Sequence, residues 1–256
     1  MATVAFVEWP DGLKTEDAEW GNIQQQVKSA NPDILVTNEM PFGSWRPVVE
    51  KFNLEEAQAW VEEHDIAMGK LSQLDVAAII SSRPKLVNGK LVNEVFLLEG
   101  DHYQPMHQKH YFPSEEGWHE ASWFETALDG FELTEIADLK VGVLLCTELM
   151  FTEKARHYGR LGANLIVSPR ASGKNTNNWE AACAMASVTS GAYVLSSNRV
   201  GQSKENLPEF GGIGIAYAPG GKRIGSTDKE NPIKVIDIDI EASRKAQTEY
   251  PCYLKY

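Results

Sequence analysis

The sequence predicts an α/β (α+β) fold built on mixed sheet. Three observations predict it. Short apolar runs alternate with segments of helical apolar spacing along most of the 256 residues. Asn88-Gly89, set between the near-identical arms Lys85-Leu-Val and Lys90-Leu-Val, is a strong type I′ hairpin signal and adds antiparallel pairing. No Pro/Gly/Ser-rich linker and no shift of composition divides the chain, so residues 1–256 read as one domain.

The elements follow in order. Residues 4–7 (Val-Ala-Phe-Val) and 34–36 (Ile-Leu-Val) are continuous apolar runs too short for helices, the pattern of buried strands. Between them, residues 15–29 are polar with helical spacing. Over 53–70, Leu54, Ala57, Trp60, Val61 and Ile66 recur on one side and predict a second helix. Residues 76–81 form a third strand, and the hairpin leads into a strand over 95–98. Residues 130–136 and 141–145 make another strand pair. Then come a helix over 151–161, a strand over 165–167, a helix over 178–190 and a strand over 192–196. The chain closes with a strand over 213–217, a turn at Pro219-Gly220-Gly221, a strand over 233–240 and a short helix over 241–246. This order predicts helices covering one face of each sheet.

Composition excludes several classes of function. The chain has 24 Lys+Arg against 36 Asp+Glu, a net charge of −12. A nucleic-acid surface needs clustered cations, and this balance offers none. No run of 18 apolar residues is present, so no membrane span is expected. The start, Met-Ala-Thr-Val-Ala-Phe-Val-Glu, lacks a basic region and a cleavage site, so no signal peptide is expected. Three widely spaced cysteines, Cys146, Cys183 and Cys252, argue against a disulfide framework or a zinc site and predict a reducing, cytoplasmic setting.

Cys146 is the candidate nucleophile. It ends the apolar run Val141-Gly-Val-Leu-Leu, where a strand gives way to a helix and free backbone N–H groups can hold an oxyanion. The plain alternative is a packed core cysteine. Cys183 sits mid-helix and Cys252 in the tail, neither beside an acid–base partner. A thiol needs a base. The six histidines carry no protease signature. His107 and His110 lie three apart in a strand-like run, which argues against a metal site. A buried carboxylate can serve instead, and Glu39, at the edge of Asp33-Ile-Leu-Val-Thr-Asn, is the best candidate. Lys109 lies among aromatics and histidines. Taken singly, these two read equally as a loop acid and a surface lysine.

Together the motifs resemble the nitrilase superfamily, the carbon–nitrogen hydrolases with a Glu–Lys–Cys triad. The segments that match, in order, are Asp33-Ile-Leu-Val-Thr-Asn-Glu39-Met-Pro-Phe-Gly, His107-Gln-Lys109-His-Tyr-Phe-Pro, Val141-Gly-Val-Leu-Leu-Cys146-Thr-Glu, Gly162-Ala-Asn-Leu-Ile-Val-Ser-Pro and Gly191-Ala-Tyr-Val-Leu-Ser-Ser-Asn-Arg-Val-Gly. The resemblance spans essentially the whole chain. It implies a second active-site glutamate after the lysine: Glu120 fits the register, with Glu115 and Glu116 as rivals. The sequence departs from the family at two places. Thr147 stands where many members have Tyr or Trp, and Met150 where many amidase and carbamoylase branches have Arg.

The resemblance implies a four-layer αββα sandwich with two mixed sheets, and a homodimer or larger homo-oligomer; the tail over 247–256 would join that contact or pack on its own subunit. It implies hydrolysis of a small amide or N-carbamoyl compound through a thioester on Cys146, with no metal and no organic cofactor. Glu39 would be the base, Lys109 and the Thr147 backbone the oxyanion donors, and Glu120 the group that orients Lys109. Arg170 would clamp a substrate carboxylate or lie at the surface. Trp179, with Trp45, Trp118 and Trp123, would wall the pocket or join the core. The rival readings are a nitrile substrate, a papain-type Cys–His hydrolase, and a silent binding protein on the same fold.

Overall fold

The computed structural model describes residues 2–126, 130–205 and 207–254. Its elements are β1 (Ala2–Val7), α1 (Ala18–Ala30), β2 (Ile34–Val36), α2 (Leu54–Leu71), β3 (Ala78–Val87), β4 (Lys90–Glu99), β5 (His102–Gln108), α3 (Glu120–Trp123), β6 (Thr134–Ile136) and β7 (Leu139–Val143). A 3₁₀ turn over Cys146–Met150 leads into α4 (Thr152–Leu161), β8 (Leu165–Val167), α5 (Asn177–Ser190), β9 (Tyr193–Ser196), β10 (Val200–Gly201), β11 (Phe210–Gly211), β12 (Ile215–Ala218), β13 (Lys222–Ser226), β14 (Ile233–Ile238) and α6 (Ile240–Gln247).

Two six-stranded sheets form, in the orders β14-β1-β2-β3-β4-β5 and β13-β12-β9-β8-β7-β6. Each has a parallel centre, β1-β2-β3 and β7-β8-β9, flanked by antiparallel strands. The short central strands are apolar on both faces because each face meets a different layer. Val4, Phe6, Ile34 and Val36 pack inward against Val141, Val143, Leu165 and Val167 of the other sheet. Ala5, Val7 and Leu35 turn outward to Trp20, Ile23 and Val27 of α1 and to Ala67 and Leu71 of α2. Ile166 and Val194 turn outward to Tyr158 of α4 and to Cys183 and Ala186 of α5. The result is the mixed four-layer αββα sandwich.

The Asn88-Gly89 hairpin forms with a two-residue loop, Val87 opposite Lys90, and both loop residues at positive φ (51° and 81°). Its arms run longer than expected, through β3 and β4. The α2 stripe differs from the expected one: Ala57, Trp60, His64, Ala67 and Leu71 are buried, whereas Ile66 is 62% exposed and Leu54 45%. Ile66 lies two residues beyond His64, about 200° around the helix, and Leu54 stands at its open first turn. Asn53 caps α2, its side chain accepting from the N–H groups of Glu55 and Glu56. The strand expected over 130–136 is confined to β6, the strand over 213–217 begins at Ile215, and the strand over 233–240 ends at Ile238. No helix among the described residues is long and apolar enough to cross a membrane.

Candidate active site

The candidate residues emerge from loops at one end of the sandwich, where the parallel strands of both sheets end. Glu39 follows β2 and Cys146 follows β7, while Lys109 is the residue after β5. Glu120 opens the single turn α3. Ligand sites lie at the carboxyl ends of such strands because there the backbone leaves its ladder and frees polar groups.

The four side chains are buried together. Lys109 Nζ donates to Glu39 Oε1 at 2.8 Å and to Glu120 Oε2 at 2.6 Å. Asn93 Nδ2, from β4, also donates to Glu39 Oε1 at 2.8 Å. Glu39 Oε2 has no protein partner. One carboxylate oxygen is therefore fixed by two donors while the other is left to bond something else. Cys146 Sγ lies 3.9 Å from the carbonyl of Ala171. The charged groups that act most strongly on this thiol are Glu39, Lys109 and Glu120, and Arg170 also interacts with it.

The electrostatics follow from burial and proximity. Burial opposes the charge on Lys109, but the carboxylates of Glu120 and Glu39 outweigh it and hold the ammonium well above its ordinary pKa. Burial raises Glu120 to about 7; Lys109 opposes that rise and Glu39 adds to it. Burial also pushes the Cys146 thiol well up, helped by Glu39 and opposed by Lys109. A resting thiolate is thus disfavoured.

The rivals separate cleanly. Glu120 is buried and bonded to Lys109, whereas Glu115 and Glu116 are exposed. His107 and His110 are turned to Glu148, not to Cys146, so the papain-type arrangement is not built here. His107 Nε2 meets Glu148 Oε2 at 2.7 Å, and Glu148 Oε1 accepts from the His110 backbone N–H at 2.7 Å. Donor atoms of His107, His110 and Glu148 lie within 4.8 Å of one another. The Leu145 N–H also donates to Glu148, at 2.8 Å, so this carboxylate is filled by protein donors. Burial opposes its charge, yet the bonds from His107 and His110 hold it down at about 2.

Arg170 is neither at the surface nor free to clamp a ligand. It is fully buried, and its three nitrogens donate to Ser196 Oγ, Ser172 Oγ and the Ile213 carbonyl at 3.2, 2.7 and 2.8 Å. Its guanidinium lies 5.0 Å over the half-buried ring of Trp179. Its own carbonyl accepts from the N–H of Glu39. Thr147 Oγ1 donates to the Tyr111 carbonyl at 2.5 Å, joining the nucleophile turn to the lysine segment. Trp45 and Trp123 join Trp60, Phe124 and Phe210 in a buried aromatic cluster, with Trp118 packed against it.

Three residues of this region had no candidate signal in the sequence. Asn93 reads as a polar position in a hairpin arm. Glu148 reads as the third letter of Cys-Thr-Glu. Arg199 lies in Ser-Ser-Asn-Arg-Val-Gly and is fully buried. Its Nη1 pairs with Asp11 Oδ1 at 2.5 Å, and its Nη2 donates to the carbonyls of Glu39 (3.3 Å) and Met40. A buried Arg paired to a distant Asp leaves no local spacing to find.

The carbon–nitrogen hydrolase family profile matches residues 34–250. A hydrolase encoded in the pqqF 5′ region of Pseudomonas protegens is 29% identical over 247 residues, covering 90% of this chain and 82% of that protein. The omega-amidase NIT2 of Xenopus tropicalis is 27% identical over 125 residues, 48% of this chain and 45% of that protein. Among solved structures, a carbon–nitrogen hydrolase from Helicobacter pylori G27 superposes with a TM-score of 0.81 at 19% identity, covering 98% of this chain and 94% of the other. A variant of the amidase from Nesterenkonia sp. AN1, carrying the acetamide moiety of fluoroacetamide on its active-site cysteine, superposes with a TM-score of 0.76 at 16% identity, covering 95% and 92%. The chain therefore belongs to the carbon–nitrogen hydrolase family, within the nitrilase superfamily, and is a carbon–nitrogen hydrolase.

Proposed function

We propose that the chain hydrolyses a small amide or N-carbamoyl compound through a thioester on Cys146. The observation that carries this reading is the division of labour on Glu39. Oε1 is held by Lys109 and Asn93, and Oε2 is buried with no protein partner, in the electrostatic reach of a thiol that burial keeps protonated. That is the disposition of a general base.

The Cys146 proton passes to Glu39 as sulfur attacks the carbonyl carbon. The carbonyl electron pair moves onto oxygen, where Lys109 Nζ and the Thr147 N–H hold it. As the pair returns, the C–N bond breaks and Glu39 gives its proton to the departing nitrogen, releasing ammonia or an amine. Water then gives a proton to Glu39 and its oxygen to the thioester carbon. The C–S bond breaks, the proton returns to sulfur, and the acid leaves. Glu120 keeps Lys109 aimed and charged. The chemistry named for two similar proteins, an omega-amidase and an amidase alkylated on its cysteine, supports an amide carbonyl over a nitrile.

The three free cysteines support a reducing compartment. Self-association is supported by exposed apolar side chains on α4, α5 and the tail: Leu161, Met185, Tyr250, Tyr253 and Leu254. The tail is also anchored to its own subunit, the Cys252 thiol donating to the Val188 carbonyl at 3.3 Å.

The test is ammonia release across small amides, ω-amides, N-carbamoyl amines and nitriles. Cys146→Ala is expected to abolish the activity, and Lys109→Ala to lower turnover by about 10²–10³ as for loss of an oxyanion donor. Turnover that survives Cys146→Ala, or that is confined to nitriles, would overturn the proposal.

A further inference from the structure

Glu148 lies in the turn that carries Cys146 and reaches across to the Lys109 segment. Its Oε2 accepts from the backbone N–H of Leu145, the residue before Cys146, at 2.8 Å. Its Oε1 accepts from the backbone N–H of His110, the residue after Lys109, at 2.7 Å. Oε2 also meets Nε2 of His107, two residues before Lys109, at 2.7 Å. Against a carboxylate that nitrogen must carry the proton, so the bond sets the tautomer of the ring. Glu148 is fully buried, and His107 nearly so. The His107 ring is stacked on His110 at 5.3 Å and packed on Phe131 at 4.9 Å.

The two segments it joins belong to different sheets. Lys109 follows β5 on the edge of the first sheet, and Cys146 follows β7 in the second. No β ladder connects them. What sets the distance between the ammonium and the sulfur is whatever bridges the two loops, and a single buried carboxylate does so at the residues next to both. Cys146 itself is at φ 52°, a conformation that a non-glycine residue keeps only when its surroundings hold it.

We infer that Glu148 is a positioning residue for the reaction: it fixes the Cys146 turn against the Lys109 segment, so that Lys109 stands where it can act on the sulfur and on the oxyanion. This rests on the roles proposed above for Cys146 and Lys109. Glu148 touches neither reacting group; on this inference its effect is the placing of Lys109 against the Cys146 turn. Loss of the clamp then costs nothing more once Lys109 is gone, because residues acting as one unit are not additive.

The experiment compares wild type, Glu148→Gln, Lys109→Ala and the double variant. Peptide-resolved alkylation of Cys146 by iodoacetamide is followed against pH. Resolution by peptide matters because Cys252 is also accessible. The titratable and charged groups acting on Cys146 are Glu39, Lys109, Glu120 and Arg170, and those facing Glu148 are His107, His110 and Tyr158. Glu148→Gln is expected to raise the alkylation midpoint by about 1 pH unit, as the cation withdraws from the thiolate. It is also expected to lower kcat by about 10²-fold with KM little changed. In the Lys109→Ala background the same substitution should change either quantity by less than about twofold. An unchanged midpoint, or an equal shift with and without Lys109, overturns the inference. Should Glu148→Gln fail to fold, His107→Gln removes one of the three bonds: a smaller shift in the same direction supports the clamp, and no shift overturns it. Alkylation needs no substrate, so a chain inert toward every amide would sink the proposed reaction while the clamp is still judged by the midpoint.

Discussion

The two sheets offer the site one elbow each, and the elbows are secured by opposite charges. The elbow of the proposed base, Glu39-Met40, has Met40 at φ 42°, and its two carbonyls are gripped by the cation Arg199. The elbow of the proposed nucleophile, Leu145-Cys146, has Cys146 at φ 52°, and the Leu145 N–H is gripped by the anion Glu148. A turn at the end of a strand frees both carbonyls and N–H groups. In each elbow a buried charge takes one kind, carbonyls at Glu39-Met40 and an N–H at Leu145, while neutral acceptors take the remaining N–H groups. The two charges are supported differently. Arg199 depends on Asp11, 188 residues away, in an ion pair fully removed from solvent. Glu148 lies two residues from Cys146 and is satisfied by backbone N–H groups and one histidine. A far-fetched ion pair is the more fragile of the two supports: without Asp11, Arg199 is a buried cation left with carbonyl acceptors alone, whereas Asp11 also accepts from Trp45 and Ser203.

The sharpest way to break this contrast is to remove one support at a time. Arg199→Met takes the cation from Asp11, which keeps its bonds from Trp45 and Ser203, and frees the Glu39, Met40 and Gly43 carbonyls. It is expected to cost about 3–5 kcal/mol of stability, the range for stranding one member of a buried pair. Glu148→Gln leaves no stranded charge and is expected to cost about 1–3 kcal/mol. Urea unfolding at neutral pH reads both. Equal losses would mean that the distant ion pair gives the base elbow no special dependence.

A second, smaller effect sharpens the comparison through pH. Burial raises Glu120 from 4.5 to about 7, so the folded protein holds a proton there that the unfolded chain has already released. Between those values the native state binds more protons, and this group makes stability fall as pH rises, the full cost being present above about 7. Burial lowers His64 from 6.5 to about 3, which works the other way: its contribution is present above 6.5 and is lost as pH falls toward 3. The test is therefore a difference. From pH 5 to pH 8 the urea midpoint of wild type should fall more, or rise less, than that of Glu120→Gln. A wild-type midpoint that rises more steeply than the variant's over that window would contradict the shift at Glu120.

How much of this was legible in the sequence depends on the range of the interaction. The central strands were, because two buried faces leave uninterrupted runs such as Ile34-Leu35-Val36. The β3–β4 turn was, because only residues tolerant of positive φ, here Asn88 and Gly89, sit easily in a two-residue loop. Glu39, Lys109 and Cys146 stood out once their segments were taken together, each at or beside a strand end. Glu120 could be ranked above Glu115 and Glu116 by register alone, and the structure separates them by burial. The supports were not legible. Arg199 and Asp11 meet only because β1 and β9 end at the same side of the sandwich, and His107 finds Glu148 across 41 residues. Arg170 was expected to serve a ligand or water, and instead its donors are spent on Ser172, Ser196 and Ile213. Ile66 is apolar yet exposed because it lies about 200° around α2 from His64, off the buried stripe.

Thr147 provides the finest discrimination between the two elbows, since it adds a neutral bond to the side that Glu148 already holds. Its hydroxyl donates at 2.5 Å to the carbonyl of Tyr111, two residues beyond Lys109, and Tyr111 is stacked on Phe151 at 3.9 Å, on the far side of the nucleophile turn. The bond repeats in miniature what the carboxylate does, tying the turn after β7 to the segment after β5. It is only partly shielded from water, and a neutral bond of this kind is worth about 0.5–1.5 kcal/mol. Thr147→Val keeps the shape and removes the donor, so it is expected to lower stability by about that amount, with Thr147→Ser restoring most of it. If the nucleophile elbow is held chiefly by Glu148, turnover of Thr147→Val should fall by less than about tenfold, one bond's worth of positioning. A loss as large as that of Glu148→Gln would move the clamp from the buried carboxylate to the turn itself, where the hydroxyl and the stacked rings would then carry the alignment of Cys146.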